Sequence, residues 1–213
     1  MKLFDMNSSF YRFGTLLFDL MILNIIFIAA AAFGLGIPAC IAMIYTIHES
    51  IRKDQGKILY HFIKSIKDNF KQGMLFSIAL IILSISITLV LTNVSMFSKY
   101  SFLVLSIQYF LIFEIFIVSL FLFPMLAKVE MSSKQAIVNS FLIAHRHLFT
   151  SISCLSLIIL NYYVIKYISP IFIVFTFSGT GYVIERLILE NIIIKNYVPE
   201  DMKRELTIDD RDF

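Results

Sequence analysis

Residues 34–53 read GLGIPACIAMIYTIHESIRK, directly after the apolar run LLFDLMILNIIFIAAAAF at 16–33. Two glycines and a proline interrupt the hydrophobic pattern, a second apolar run follows, and it ends in charge. The stretch is either a loop or a second crossing of a membrane, and the choice decides which side most of the chain faces. Composition fixes the solvent. The 213 residues are 59% hydrophobic and only 15% charged, with 22 phenylalanines, and the mean hydropathy is +0.84. Soluble domains average about 45–50% apolar residues and about 25% charged ones, whereas a bilayer core of roughly 30 Å asks for about 20 mostly apolar residues per helix.

Four runs are long and apolar enough to cross: 74–97, 102–126, 148–168 and 171–189. Short turns at Ser98-Lys99-Tyr100 and Ser169-Pro170 pair them as hairpins. The opening stretch is then tested by charge, because cytoplasmic loops carry the excess of Lys and Arg. If 16–33 goes out, Gly34-Leu35-Gly36 turns, and 37–50 returns with Pro38 in its first turn, only Lys99 and Lys166 of the 18 basic residues lie outside. Five spans with an external N-terminus move Lys2 and Arg12 across as well. A returning limb this short also fits a re-entrant or interfacial segment. Either way His48 to Gln72 is cytoplasmic.

The expected fold is an all-α integral membrane protein of one domain over 1–213, a helical bundle of six, alternatively five, transmembrane helices arranged as hairpins. The spans are 16–33, 37–50, 74–97, 102–126, 148–168 and 171–189, and a cytoplasmic tail covers 190–213. Two cytoplasmic amphipathic helices complete it. At 57–71, Ile58, Leu59, Phe62, Ile63, Ile66 and Phe70 recur at helical spacing opposite Lys57, Lys64, Lys67, Asp68 and Lys71. At 132–147, Ser132 and Gln135 form a capping box before Ala136, Ile137, Ser140, Phe141 and Ala144. Such helices lie among anionic headgroups or dock on a partner, with Lys57, Phe62, Lys64, Lys67, Phe70, Asn139, Phe141 and Arg146 as the contacts.

Within the spans the polar candidates are Asp19, Asn24, Glu114 and Asn161. An ionised Glu114 near the middle of 102–126 would cost at least about 2.5–3.5 kcal/mol. It is expected to face protein or water, as a proton or substrate site or as a clamp to Asn24, Asn161 or Tyr162. Glu185, Arg186 and Glu190 are expected to reach the inner interface by snorkelling. Gly34, Gly36 and Pro38 make the first turn, and Gly179 and Gly181 allow close packing in the last helix. Cys40 and Cys154 give neither a disulfide framework nor metal-ligand spacing. No P-loop, HExxH or GxSxG pattern occurs, so no catalytic residue, metal or cofactor is expected.

The chain resembles the YesL-like family of small bacterial membrane proteins, a domain of unknown function. Tyr11-Arg12-Phe13-Gly14, Gly36-Ile37-Pro38-Ala39, the run from Phe62 to Gln72, Phe123-Pro124-Met125-Leu126-Ala127 and Asn139-Ser140-Phe141 carry the resemblance in order. It thins after about Ser153. The family is commonly encoded beside carbohydrate ABC importers in Gram-positive bacteria. The resemblance therefore implies a non-enzymatic accessory subunit of the cell membrane, and the charge count under the six-span reading puts both termini in the cytoplasm. Its partners would be the lipid bilayer and an importer's permease or ATPase subunits, without nucleic acid, and self-association stays open. The alternative is a small stand-alone transporter or channel using Glu114.

Overall fold

A computed structural model describes residues 9–53, 55–93, 100–169 and 172–198, with side chains from Tyr11 onward. The turn expected at Ser98 and Lys99, Pro170, and the chain beyond Val198 lie outside the described residues. Among those described there is no strand, so the all-helical reading of the composition stands.

Helix α1 spans Ser9–Ala32. It ends in a Schellman motif: Leu35 N–H donates to the Ala30 carbonyl (3.2 Å) and Gly34 N–H to that of Ala31 (3.0 Å). Gly34 supplies the left-handed residue this ending requires, at φ +82°. Helix α2 follows as Gly36–Thr46 and runs on without a break into a π-helical turn, Ile47–Arg52. The turn and the Pro38 placement are as the sequence led one to expect.

Two consecutive left-handed residues, Gly56 (φ +61°) and Lys57 (φ +58°), make the corner into α3. Here the expectation of an interfacial helix at 57–71, separate from a span at 74–97, is corrected. One helix, Ile58–Thr92, contains both. Gly73 sits where a break was expected, yet its role is packing. A Cβ there would lie 2.9 Å from Pro38 Cγ and 3.2 Å from Pro38 Cα, so the bare glycine lets α2 press its first turn against α3.

Helix α4 spans Ser101–Lys128, α5 Ser133–Arg146 and α6 Leu148–Tyr163, the last continuing as a π-helical stretch, Val164–Ile168. Helix α7, Ile173–Ile184, continues as the π-helix Glu185–Ile194 and the short α8, Lys195–Tyr197. The tail expected from 190 therefore begins later: Ile192, Ile193, Ile194 and Val198 are buried. Hydrophobic burial outweighs the charges that mark this stretch as a tail in the sequence.

Helix α2 is the hub. Ala39, Ile41, Ala42 and Ile47 are fully buried, and Met43 and Ile44 nearly so. A helix apolar on all sides belongs in an interior. One side packs on Leu23, Phe27 and Phe62, the other on Phe76, Ile117, Phe121 and Ile188. Its apolar part, from Gly36 to Ile47 before His48 and Glu49, is well short of the roughly 17–25 apolar residues that a crossing takes. Among the described residues four helices are long and apolar enough to span: Tyr11–Ala32, Ile58–Thr92, Ser101–Lys128 and Leu148–Ile168. Much of their surface is apolar and exposed, as at Ile82, Leu89, Phe102 and Phe110. In water that would be a severe cost, and in lipid it is the ordinary outer face. This is a helical membrane protein.

Candidate functional site

Among the described residues, the densest polar chemistry lies where the π-helical segments Ile47–Arg52 and Glu185–Ile194 meet. Helices α2 and α7 run the same way: Gly181 faces Met43 and Ile47, Glu185 meets His48, and Glu190 meets Arg52. His48 Nδ1 is 2.7 Å from Glu185 Oε1, both side chains at 0% exposure. Arg52 Nε stands 3.4 Å from Glu185 Oε2, and its Nη2 also donates to Glu190. The Arg52 guanidinium lies 5.8 Å from the Tyr182 ring centre. Burial works against its charge, and Tyr182, Glu185 and Glu190 more than restore it, holding Arg52 above its usual range.

A second arm continues the cluster. Lys128, from the end of α4, donates to Glu49 and sits 4.8 Å from the Tyr45 ring centre. Lys53 lies 3.2 Å from the same Glu49 oxygen. Three carboxylates, Glu49, Glu185 and Glu190, thus face three fixed cations, Arg52, Lys53 and Lys128. The balance is that of a structural ion network tying α2, α4 and α7 together. A His–Glu pair with no exposed surface offers no approach to a substrate.

Sequence reasoning missed this cluster, and the snorkelling expected of Glu185 is corrected by its complete burial. The reason is periodicity. At 3.6 residues per turn, positions 185 and 190 point about 140° apart. The i→i+5 bonding of a π-helix realigns them, and such segments recur at functional sites. Nothing in the residue pattern announces that switch.

The expected polar candidates are placed individually. Asn24 is fully buried; its Nδ2 donates to the Ile173 carbonyl (2.8 Å), and its Oδ1 accepts from Ser178 N–H (3.1 Å). It stitches α1 to α7. Asn161 donates to Thr180 Oγ1 at 2.7 Å and joins α6 to α7. Asp19 is half-buried on α1. Glu114 meets His145 Nε2 at 3.3 Å, so its clamp runs to α5, and the expected partners Asn24 and Asn161 are engaged elsewhere.

Of the expected docking residues, Lys57, Lys64, Lys67, Phe70, Asn139, Phe141 and Arg146 are exposed. Phe62 is not: at 1% exposure it packs with Leu23 and Phe27 and belongs to the core. Helix α5 has the capping box, Gln135 N–H to Ser132 Oγ (3.4 Å) and Ser132 N–H to Gln135 Oε1 (3.2 Å). It buries Ala136, Ser140, Ile143 and Ala144 and exposes Ile137, Val138, Phe141 and Leu142. His145 Nδ1 lies 2.8 Å from the Phe141 carbonyl. That bond first, and Glu114 after it, raise the histidine above its ordinary value. Gly181 lies in close packing as expected, whereas Gly36 and Gly179 face open space. Among the described residues, no three His, Cys, Asp or Glu side chains converge to hold a metal ion.

Residues 20–92 match the model of a family described as protein of unknown function, DUF624. The matched segment runs from the middle of α1 through α2 to the last residue of α3, and so contains the buried hub together with His48, Glu49 and Arg52. No curated protein and no solved structure matches the chain. The match covers about a third of the chain, the hub with α3 and the second half of α1, and since YesL-like proteins carry DUF624 it is consistent with the chain's likeness to them.

Proposed function

We propose that this protein is a non-enzymatic accessory subunit of the cell membrane, associated with a carbohydrate ABC import system and docking through its cytoplasmic helices. The observation that carries the docking surface is α5. One face is fixed to the bundle by buried Ala136, Ile143 and Ala144, while Ile137, Val138, Phe141 and Leu142 stand exposed between Lys134 and Arg146. An apolar stripe flanked by cations on a rigid, capped helix suits a partner helix or a headgroup layer. The first turns of α3 add Leu59, Tyr60 and Ile63 beside Lys57 and Lys64. The carbohydrate link rests on the family resemblance alone.

The transporter alternative finds less support. Glu114 is paired with His145 and does not line the cavity between α3 and α4. That cavity has no charged wall and offers little to a sugar hydroxyl.

In the proposed topology both termini and the 53–57 corner face the cytoplasm, which keeps the basic residues inside. The α1–α2 hairpin dips into the bilayer from that side and returns. What supports this over a full crossing is Pro38 lying against Gly73.

The test is a mild-detergent pull-down of tagged protein from native membranes, with mass spectrometry of what stays bound through size exclusion. Importer subunits in fixed proportion are the expected result, lost on substituting Phe141 and Leu142 together by Asp. A lone protein would sink the stable-subunit reading.

A further inference from the structure

Between helices α3 and α4 lies a cavity of about 600 Å³, closed by Ile158 of α6 and by Gly181 and Ile184 of α7. Its walls are α3 from Leu80 to Leu91 and α4 from Ile112 to Phe123, and Cys40 and Met43 of the hub form its floor. Between residues 74 and 92 α3 carries no charge, so this is the part of the molecule at hydrocarbon depth. Oxygen-bearing side chains in the wall are confined to Ser84, Thr88 and Ser119. The Thr88 hydroxyl is spent on the Ser84 carbonyl of its own helix, at 2.8 Å. A water would need two to four polar partners, and the wall cannot supply them for the several waters this volume would hold.

Length identifies the occupant. Leu80 to Leu91 is eleven residue steps, roughly 16 Å of helix, or about half of a hydrocarbon core of roughly 30 Å. That is the depth of one leaflet, and hence the reach of one acyl chain. The cavity opens to the outer surface, where Ser84, Thr88 and Phe116 of its wall are themselves exposed. We propose that it seats one acyl chain of a bilayer phospholipid, which fills the wedge between α3 and α4 and rests against the hub helix.

The sequence contains no tryptophan, which makes a clean test available. Full-length Ile115→Trp carries its reporter in the cavity wall, and Ile82→Trp carries it on the outer face, where the native side chain is 60% exposed. In delipidated detergent solution, one molar equivalent of phosphatidylcholine with brominated chains is expected to quench the cavity reporter to saturation and leave the outer one bright. Equal or unsaturating quenching of both would mean annular lipid only and overturn the proposal. Native mass spectrometry of the unsubstituted protein is expected to show one retained phospholipid per chain, lost in Ser84→Phe and Ser119→Phe, which fill the space. Absence of that lipid, or a lipid-free mass of two chains pointing to a second copy as the occupant, would also overturn it.

Discussion

Glu185 is the carboxylate that both His48 and Arg52 of the ion network face. It is completely buried, meets His48 at 2.7 Å and faces Arg52. Removing one member of a buried ionic group strands the others in low dielectric and costs about 3–5 kcal/mol, whereas replacing the group by apolar residues of similar volume is often close to neutral. Glu185→Leu should therefore lower the detergent-solubilised thermal midpoint sharply, and His48→Leu added to it should recover part of the loss. Far-UV circular dichroism on heating measures both; a double variant as unstable as the sum of the singles would refute the coupling. At this scale the sequence is a partial guide. Gly34, Pro38 and the Ser132–Gln135 box are local devices, and their roles follow from nearest neighbours. Glu185 and Phe62 are decided by what packs on them from far along the chain, and no local pattern carries that.

At the scale of the helix, three glycines separate packing from composition. A methyl group at Gly73 would meet the Pro38 ring and backbone, at 2.9 and 3.2 Å, and neither can move away without shifting α2. Overpacking of this kind costs about 1–3 kcal/mol, so Gly73→Ala should be destabilising. At Gly181 the obstacles are the thioether end of Met43 at 2.8 Å and the terminal methyl of Ile47 at 3.0 Å, both far ends of side chains and neither backbone. Methionine readjusts cheaply, so Gly181→Ala should cost less. Gly179 faces open space, and alanine there should be neutral or mildly stabilising through helix propensity. Thermal midpoints of the three variants give the order, and reversal of Gly73 and Gly181 would contradict the packing account. Helix α5 adds a pH dependence. His145 is held above its ordinary value by the Phe141 carbonyl and then by Glu114, so its contribution is complete below the unfolded histidine value of about 6.5. It is lost as pH rises through the raised native value. The stability advantage of the natural protein over His145→Gln should accordingly be present in mild acid and vanish in mild alkali. The helix at 132–147 was legible as a separate element because α5 is bounded by its own cap and a break at His147. That at 57–71 misled because the polar face of α3 simply continues into an apolar one, with no stop signal between them.

At the scale of the molecule, the stretch at 34–53 is neither a loop nor an ordinary outer span. It is the buried centre about which the other helices pack, and this explains why a run so apolar is also so short. Its direction constrains the topology. Helix α2 lies antiparallel to the first half of α3, with Pro38 at Gly73 at one end and the 53–57 corner at the other. A full crossing would bring the Gly34–Gly36 turn to the far end of α3, near Thr92, yet Pro38, just past the turn, meets Gly73, nineteen residue steps short of Thr92 and about 28 Å away along the helix. The turn therefore belongs near the level where the lysines of α3 give way to its apolar half. With Cys40 and Cys154 replaced by serine, Phe33→Cys at the tip of the hairpin, 86% exposed, should resist a membrane-impermeant maleimide applied to intact cells. Lys57→Cys at the corner should stay protected until the cytoplasmic face is opened and then react. Rapid labelling of Phe33→Cys from outside would restore the full crossing. It would also require α2 and α3 to slide past one another by most of a bilayer thickness, parting Pro38 from Gly73.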